Sequence, residues 1–188
     1  MSFKDLHIIK PLLRAVADSG YDEPTLIQQR CIPAILGRKN VIASAQTGTG
    51  KTAGFALPIL QLLFDKQDAP KRGKKVRALI VSPTRELAVQ INENFKTYAK
   101  YTNLRSAVLF GGTSIEPQID ILKKGVDILI ATPGRLLDLH KQDYVNLDYI
   151  ETFVLDEADL MLDMGFIDDV KKIERLCPDK KQVLLFSA

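Results

Sequence analysis

Two hydrophobic periods alternate along the chain. Short β-branched and aliphatic runs fall at Val41–Ala45, Val76–Ser82, Ser106–Phe110, Val126–Ala131, Thr152–Leu155 and Val183–Phe186. Several are apolar at consecutive positions, the pattern of a strand covered on both faces. Between them, apolar residues recur at helical spacing. Leu6, Ile9, Leu13 and Val16–Ala17 do so near the start, Ile27, Cys31 and Ile35 next, and Leu87, Ile91, Phe95 and Tyr98 after Pro83. Strands alternating with helices predict right-handed crossovers and an α/β domain, a mostly parallel sheet with helices on both faces.

Length and composition narrow this picture. The chain has 188 residues, which suits one domain at roughly 100–200 residues each. Hydrophobic residues make up 46% and charged residues 26%, which excludes a disordered tail, a collagen-like repeat and a coiled coil. The apolar runs are far short of the roughly 18 residues a membrane helix needs, and Met1–Asp5 shows no secretory signal. Cys31 and Cys177 are isolated and read as buried thiols in a reducing, cytoplasmic compartment. His7 and His140 are equally isolated and read as surface or core-edge residues. A net charge of +3 permits a nucleic-acid partner without requiring one. Asp65–Lys75 is polar, holds Pro70 and Gly73, and reads as an exposed loop; its basic residues can face phosphates or simply water. Gln182–Ala188 has the pattern of a core strand at which the chain stops, so an N-terminal piece of a longer protein is expected.

The first candidate chemistry follows the first strand. Ala45-Gln46-Thr47-Gly48-Thr49-Gly50-Lys51-Thr52 leads from that strand into a helical stretch. The glycines let successive backbone N–H groups curl around phosphate oxygens, and the following helix adds its positive dipole end. Lys51 supplies a charge for the β- and γ-phosphates, and the Thr52 hydroxyl is placed to ligate Mg²⁺. Ala45 stands where the general phosphate-loop pattern has glycine.

The second candidate is an acidic strand end. Thr152–Leu155 runs into Asp156-Glu157-Ala158-Asp159. At the carboxyl end of a parallel strand, such acids face the crevice where nucleotides bind. Asp156 can hold Mg²⁺, and Glu157 can orient or deprotonate an attacking water. Alone, the tetrad also fits a charge cluster at a helix N-terminus.

Together, Ala45–Thr52 (AQTGTGKT) and Asp156–Asp159 (DEAD) resemble the DEAD-box ATP-dependent RNA helicases of superfamily 2. Further segments match in order. Gly20–Gln28 (GYDEPTLIQ) resembles the family's Q motif, with Phe3 as its upstream aromatic. Pro83–Leu87 (PTREL), Gly111–Gly112 and Thr132–Arg135 (TPGR) resemble its RNA-facing motifs, and Ser187–Ala188 resemble the start of its SAT motif. Met161–Phe166 (MLDMGF) is similar to the bacterial RhlE-like branch.

The resemblance implies a RecA-like P-loop NTPase domain over residues 1–188. A Q-motif region would occupy residues 1–30, and a second, C-terminal RecA-like domain would lie beyond the chain. It implies ATP and Mg²⁺ as cofactors, and adenine read by the Gln28 amide, which offers one donor and one acceptor. Tyr21 and Phe3 would pack or stack near the base, although Phe3 also fits ordinary core packing. It implies RNA backbone contacts from Pro83, Thr84, Arg85, Gly111, Gly112, Thr132, Pro133, Gly134 and Arg135, all after predicted strands. Arg85 and Arg135 equally fit internal ion pairs. Such contacts are sequence-tolerant and salt-sensitive. Asp159 and Ser187 are implied in coupling ATP state to RNA grip. The family's arginine fingers come from the second domain, so the chain alone is expected to bind nucleotide and turn it over poorly. Two rival readings stay open: another P-loop NTPase, and a nucleotide-binding module without turnover.

Overall fold

In the computed structural model, residues 1–64 and 75–188 are described. Six strands and eight helices follow in chain order: α1 (Lys10–Asp18), α2 (Leu26–Leu36), β1 (Val41–Ser44), α3 (Lys51–Phe64), β2 (Ala78–Val81), α4 (Arg85–Tyr98), β3 (Ser106–Leu109), α5 (Glu116–Lys124), β4 (Ile128–Ala131), α6 (Pro133–Lys141), β5 (Thr152–Leu155), α7 (Ala158–Asp163), α8 (Ile167–Leu176) and β6 (Gln182–Ser187). The strands form one sheet in the order β1-β6-β5-β2-β4-β3, and every pairing is parallel. The expected α/β architecture is therefore present. The loop expected over Asp65–Lys75 lies outside the described residues except for Lys75.

Alternation along each strand divides the core in two. Ala78, Ile80, Ile130, Val154 and Leu184 face one side, against Leu12, Ile32, Phe55 and Phe95 of α1–α4. Leu79, Val81, Leu129 and Phe153 face the other, against Leu136, Leu139, Met161 and Ile173 of α6–α8. Central β2 and β4 are buried at every position, which is why they read as unbroken apolar runs. Each buried Val, Leu or Ile there contributes about 1.5–3 kcal/mol, so the sheet is a firm base for the loops at its ends.

Element limits differ from the hydrophobic pattern where the backbone decides. The apolar spacing places a helix from Leu6, but α1 begins at Lys10. Pro11 has no N–H to donate back to the His7 carbonyl. That carbonyl instead accepts from Gln61 Nε2 at 2.9 Å, while Gln61 Oε1 accepts from Ile9 N at 3.0 Å. Val76 and Val126 are buried but precede their ladders, so β2 and β4 start two residues later than their apolar runs. At the amino end of β6, Gln182 Nε2 donates to the carbonyls of Ile35 (3.0 Å) and Lys39 (2.7 Å), tying β6 to the end of α2 and the segment after it.

Candidate active site

Because every strand points the same way, all six carboxyl ends meet at one rim. The segments after β1, β2, β3, β4 and β5 are the five singled out in the sequence, and β6 ends at Ser187 beside them.

The phosphate loop leaves β1 at Ala45, whose N–H donates to Ser187 O at 3.0 Å. Gly48 and Gly50 adopt φ of 84° and 79°, the left-handed region that glycine occupies without steric cost. A Cβ on Gly50 would also stand 2.3 Å from Gln28 Nε2, so two constraints require glycine there. Thr49 Oγ1 donates to Gln46 O at 2.7 Å and closes the loop. Thr47 and Gly48 are exposed on its outer side, and Thr52 is half-buried in the first turn of α3.

Lys51 opens α3 and reaches across the end of β6. Its ammonium donates to Glu157 Oε1 at 2.7 Å and lies 3.3 Å from Asp156 Oδ1. The Lys51 and Asp156 side chains are only 8% and 5% exposed. Burial alone pushes the Lys51 ammonium down, but its bond to Glu157 and the charge of Asp156 outweigh this and hold it above the usual lysine value. For Asp156, burial raises the carboxyl above its usual range; Lys51 opposes the rise and Glu157 adds to it. The two directions agree physically: a single cation serves two carboxylates, and the deeper one stays undercompensated.

Two features here escape sequence reasoning. Glu157 adopts φ 55°, ψ 49°, a left-handed conformation for a non-glycine residue, directly before α7. This conformation costs roughly 1–2 kcal/mol and is maintained by the turn from β5 into α7. Asp156 Oδ1 is buried without a hydrogen bond of good geometry, although it is ion-paired. A buried, under-satisfied hard oxygen beside the Glu157 carboxylate and facing a phosphate loop fits a divalent cation such as Mg²⁺. No cluster of three metal-ligating side chains occurs among the described residues.

The Q-motif residues divide. Gln28 is 3% exposed; its Oε1 accepts from Thr25 N at 2.9 Å and its Nε2 donates to Gly50 O at 3.0 Å. The amide thus ties the start of α2 to the phosphate loop; one N–H and one lone pair are unused in these two bonds, and Gln28 itself does not line the cavity beside them. Thr25, Ile27, Ala45 and Thr49 line a cavity of about 390 Å³ between these two segments. Phe3 and Tyr21 do not line it. The Phe3 ring is buried in the core with Leu6, Leu12 and Val16, and Tyr21 tilts against Tyr98 with ring centroids 6.5 Å apart. Phe3 and Tyr21 share a different depression, one that no phosphate-loop residue lines.

On the other half of the rim, both arginines have internal partners, though neither partner is an acid. The Arg85 guanidinium lies 4.7 Å from the centre of the Phe110 ring. Arg135 donates to Gln118 Oε1 at 3.2 Å and to Thr113 O at 3.0 Å. Both therefore brace the Phe110–Thr113 segment around exposed Gly111 and Gly112; Phe110 and Gln118 are supporting residues that the motifs do not announce. Thr84 Oγ1 accepts from Leu87 N at 3.3 Å and caps α4, whereas the Thr132 hydroxyl makes no such cap at α6. Pro83 and Pro133 are buried, Gly134 is exposed, and Asp159 is exposed in the first turn of α7. Ser82, between the ends of β5 and β4, has a fully buried hydroxyl without a partner.

The profile of the DEAD/DEAH box helicase family matches residues 25–188. The chain is 44% identical over 187 residues to the DEAD-box ATP-dependent RNA helicase RhpA of Helicobacter pylori, covering all of this chain and 37% of that protein. It is 46% identical over 188 residues to the ATP-dependent RNA helicase CshA of Limosilactobacillus reuteri, again 100% of this chain and 37% of that one. Identity to the human probable ATP-dependent RNA helicase DDX27 is 43% over 189 residues, 100% of this chain and 24% of that protein. The crystal structure of a DEAD box protein from the hyperthermophile Methanococcus jannaschii superposes with a TM-score of 0.89 at 40% identity, covering 100% of this chain and 50% of that one. The chain thus spans well under two thirds of the length of these relatives.

Proposed function

The chain belongs to the DEAD/DEAH box helicase family and has its RecA-like fold, and on that premise we propose that it is the N-terminal ATP- and RNA-binding domain of an ATP-dependent RNA helicase. The observation that carries this reading is the Lys51 ammonium, held at 2.7 Å by Glu157 and 3.3 Å by Asp156 at the mouth of the phosphate loop.

Nucleotide binding is then an exchange of ion partners. Lys51 leaves the two carboxylates for the β- and γ-phosphate oxygens, while backbone N–H groups of Gln46–Thr52 receive the remaining phosphate charge. Thr52 and Asp156 would hold Mg²⁺ there. Bound Mg²⁺ supplies the positive charge that neutralises the phosphates during transfer. Glu157, released from Lys51, orients and deprotonates the attacking water. Gln28 reads the adenine edge with its remaining donor and acceptor, while Phe3 packs in the core and Tyr21 against Tyr98, outside the cavity beside the phosphate loop.

RNA lies across the other half of the rim. Exposed Gly111, Gly112 and Gly134 let a sugar–phosphate backbone approach, with Thr84, Thr132 and the N-termini of α4 and α6 as phosphate donors. Pro83 and Pro133 fix the entry to those helices, and Arg85 and Arg135 hold the glycine segment in place. Asp159 and Ser187, beside the nucleotide, couple its state to this grip. A second RecA-like domain completes the enzyme and supplies arginine fingers worth about 10³–10⁵ in rate. Met161–Phe166 supports the bacterial RhlE-like branch within the family, and the unpaired buried thiols Cys31 and Cys177 suit a reducing cytoplasm. No helix among the described residues is long and apolar enough to cross a membrane.

The test uses the full-length helicase carrying Glu157→Gln. ATP binding should persist while RNA-stimulated turnover falls about 10²- to 10⁴-fold, the contribution of a positioned base. Normal turnover would remove Glu157 from the mechanism.

A further inference from the structure

At the end of the sheet opposite the rim, a second feature has no part in nucleotide chemistry. The end of α4, the end of α5 and the segments leading into β3 and β4 surround an open depression of about 310 Å³. Ala99, Leu104 and Val126 form its floor, and Ile121 stands 41% exposed at its side. Three cations line the same depression: Lys96, Arg105 and Lys124.

The neighbouring acids leave this charge largely uncompensated. Asp127 is already committed: its Oδ1 lies 3.2 Å from Arg77, and its Oδ2 accepts from the Arg105 backbone N–H at 2.9 Å. Glu93 meets Lys96 at 3.5 Å on an exposed helix face, where such a pair contributes little. Helix dipoles explain a lysine in the last turn of α4 and of α5. They do not explain Arg105, which precedes a strand, or an apolar floor left open between three cations.

We propose that this depression is a docking site for an acidic peptide segment of a partner protein. One aliphatic side chain of that segment sits on the Leu104–Val126 floor, and flanking carboxylates meet Lys96, Arg105 and Lys124. The volume lies at the small end of ligand cavities and suits a single anchor side chain. The lining holds no aromatic ring on which a base can stack, which favours a peptide over single-stranded RNA. Opposite charges around an apolar centre supply both steering and specificity. The position also has a consequence. α4 runs from this depression to Arg85, and β3 and β4 run from it to Gly111 and Thr132. A peptide bridging α4 and α5 here braces, from below, the elements that end in the glycine and threonine segments of the rim. The site does not rest on the helicase reading.

The test is a titration of the ¹⁵N-labelled chain, followed by amide chemical shifts. The probes are an acetylated Glu-Glu-Leu-Glu-Glu peptide, its Gln-Gln-Leu-Gln-Gln counterpart and an oligouridylate. The acidic peptide should shift the amides of Ala99, Leu104, Arg105, Ile121 and Gly125, and the glutamine peptide should bind about tenfold more weakly. Combining Arg105→Glu with Lys124→Glu should weaken the acidic peptide by a further factor of about ten, leaving the shifts caused by Mg²⁺–ATP at the opposite rim unchanged. The proposal fails if the acidic peptide moves none of these amides at millimolar concentration, or if both peptides bind equally. It also fails if charge reversal has no effect, or if oligouridylate occupies the depression more tightly than the peptide.

Discussion

Asp156 is a carboxylate buried where its ionised form is disfavoured, with one lysine shared between it and Glu157. Its raised pKa means that the folded chain binds more protons than the unfolded chain between the unfolded and folded values. This residue's contribution is therefore most favourable below the ordinary aspartate pKa and is lost as pH rises through the folded one. Asp156→Asn removes the unfavourable ionisation and leaves Lys51 paired with Glu157. Thermal unfolding of the ligand-free variant at neutral pH should show a melting temperature equal to or above the parent's. The gap should close as pH falls and Asp156 protonates, and a melting temperature well below the parent's at neutral pH would refute this. The residues of this site were legible because a strand–loop–helix context surrounds Lys51 and an apolar strand precedes Asp156. Their partners were not. Gln28 bonds to Gly50 across 22 residues, and Arg135 bonds to Gln118 and Thr113 rather than to an acid. Such contacts depend on how α2, α5 and α6 pack, which no local pattern records.

Among the elements, α7 is the one whose start carries strain. Glu157 precedes it in a left-handed conformation, which glycine adopts freely and alanine does not. Glu157→Gly should accordingly be about 1 kcal/mol more stable than Glu157→Ala in equilibrium unfolding. Equal stability would mean that the turn relaxes when the carboxylate is removed. At the other end of the sheet, Gln182 satisfies two carbonyls at the end of α2 and in the segment after it. Gln182→Ala should cost about 1–3 kcal/mol of stability, and an unchanged denaturation midpoint would show that the tie is dispensable. β2 and β4 were visible as unbroken apolar runs because they are buried on both faces, whereas edge strand β1 shows the same kind of run although Ile42 is 84% exposed. The ends of β2 and β4 were less visible, since Val76 and Val126 are apolar for burial rather than for pairing. The start of α1 was misplaced for a related reason: Leu6 keeps helical spacing and is buried, yet Pro11 withholds the hydrogen bond that would extend the helix back to it.

For the whole molecule, the parallel sheet is what makes a site from distant residues. Lys51 and Glu157 are 106 positions apart in sequence and share a hydrogen bond, because β1 and β5 end at the same rim with only β6 between them. The same geometry separates two groups of residues: Lys51, Asp156 and Glu157 gather over β1, β6 and β5, and the glycine- and threonine-bearing segments over β2, β4 and β3. The central claim is that Lys51, Thr52 and Asp156 together receive a magnesium-bound adenosine triphosphate. It is tested most directly by calorimetric titration of the chain with ATP, with and without Mg²⁺, beside Lys51→Ala. Magnesium-dependent binding should appear in the parent and weaken about 10- to 100-fold in Lys51→Ala, the loss of one charge-assisted contact. Undiminished affinity in a folded Lys51→Ala chain, or binding indifferent to Mg²⁺, would contradict the assignment.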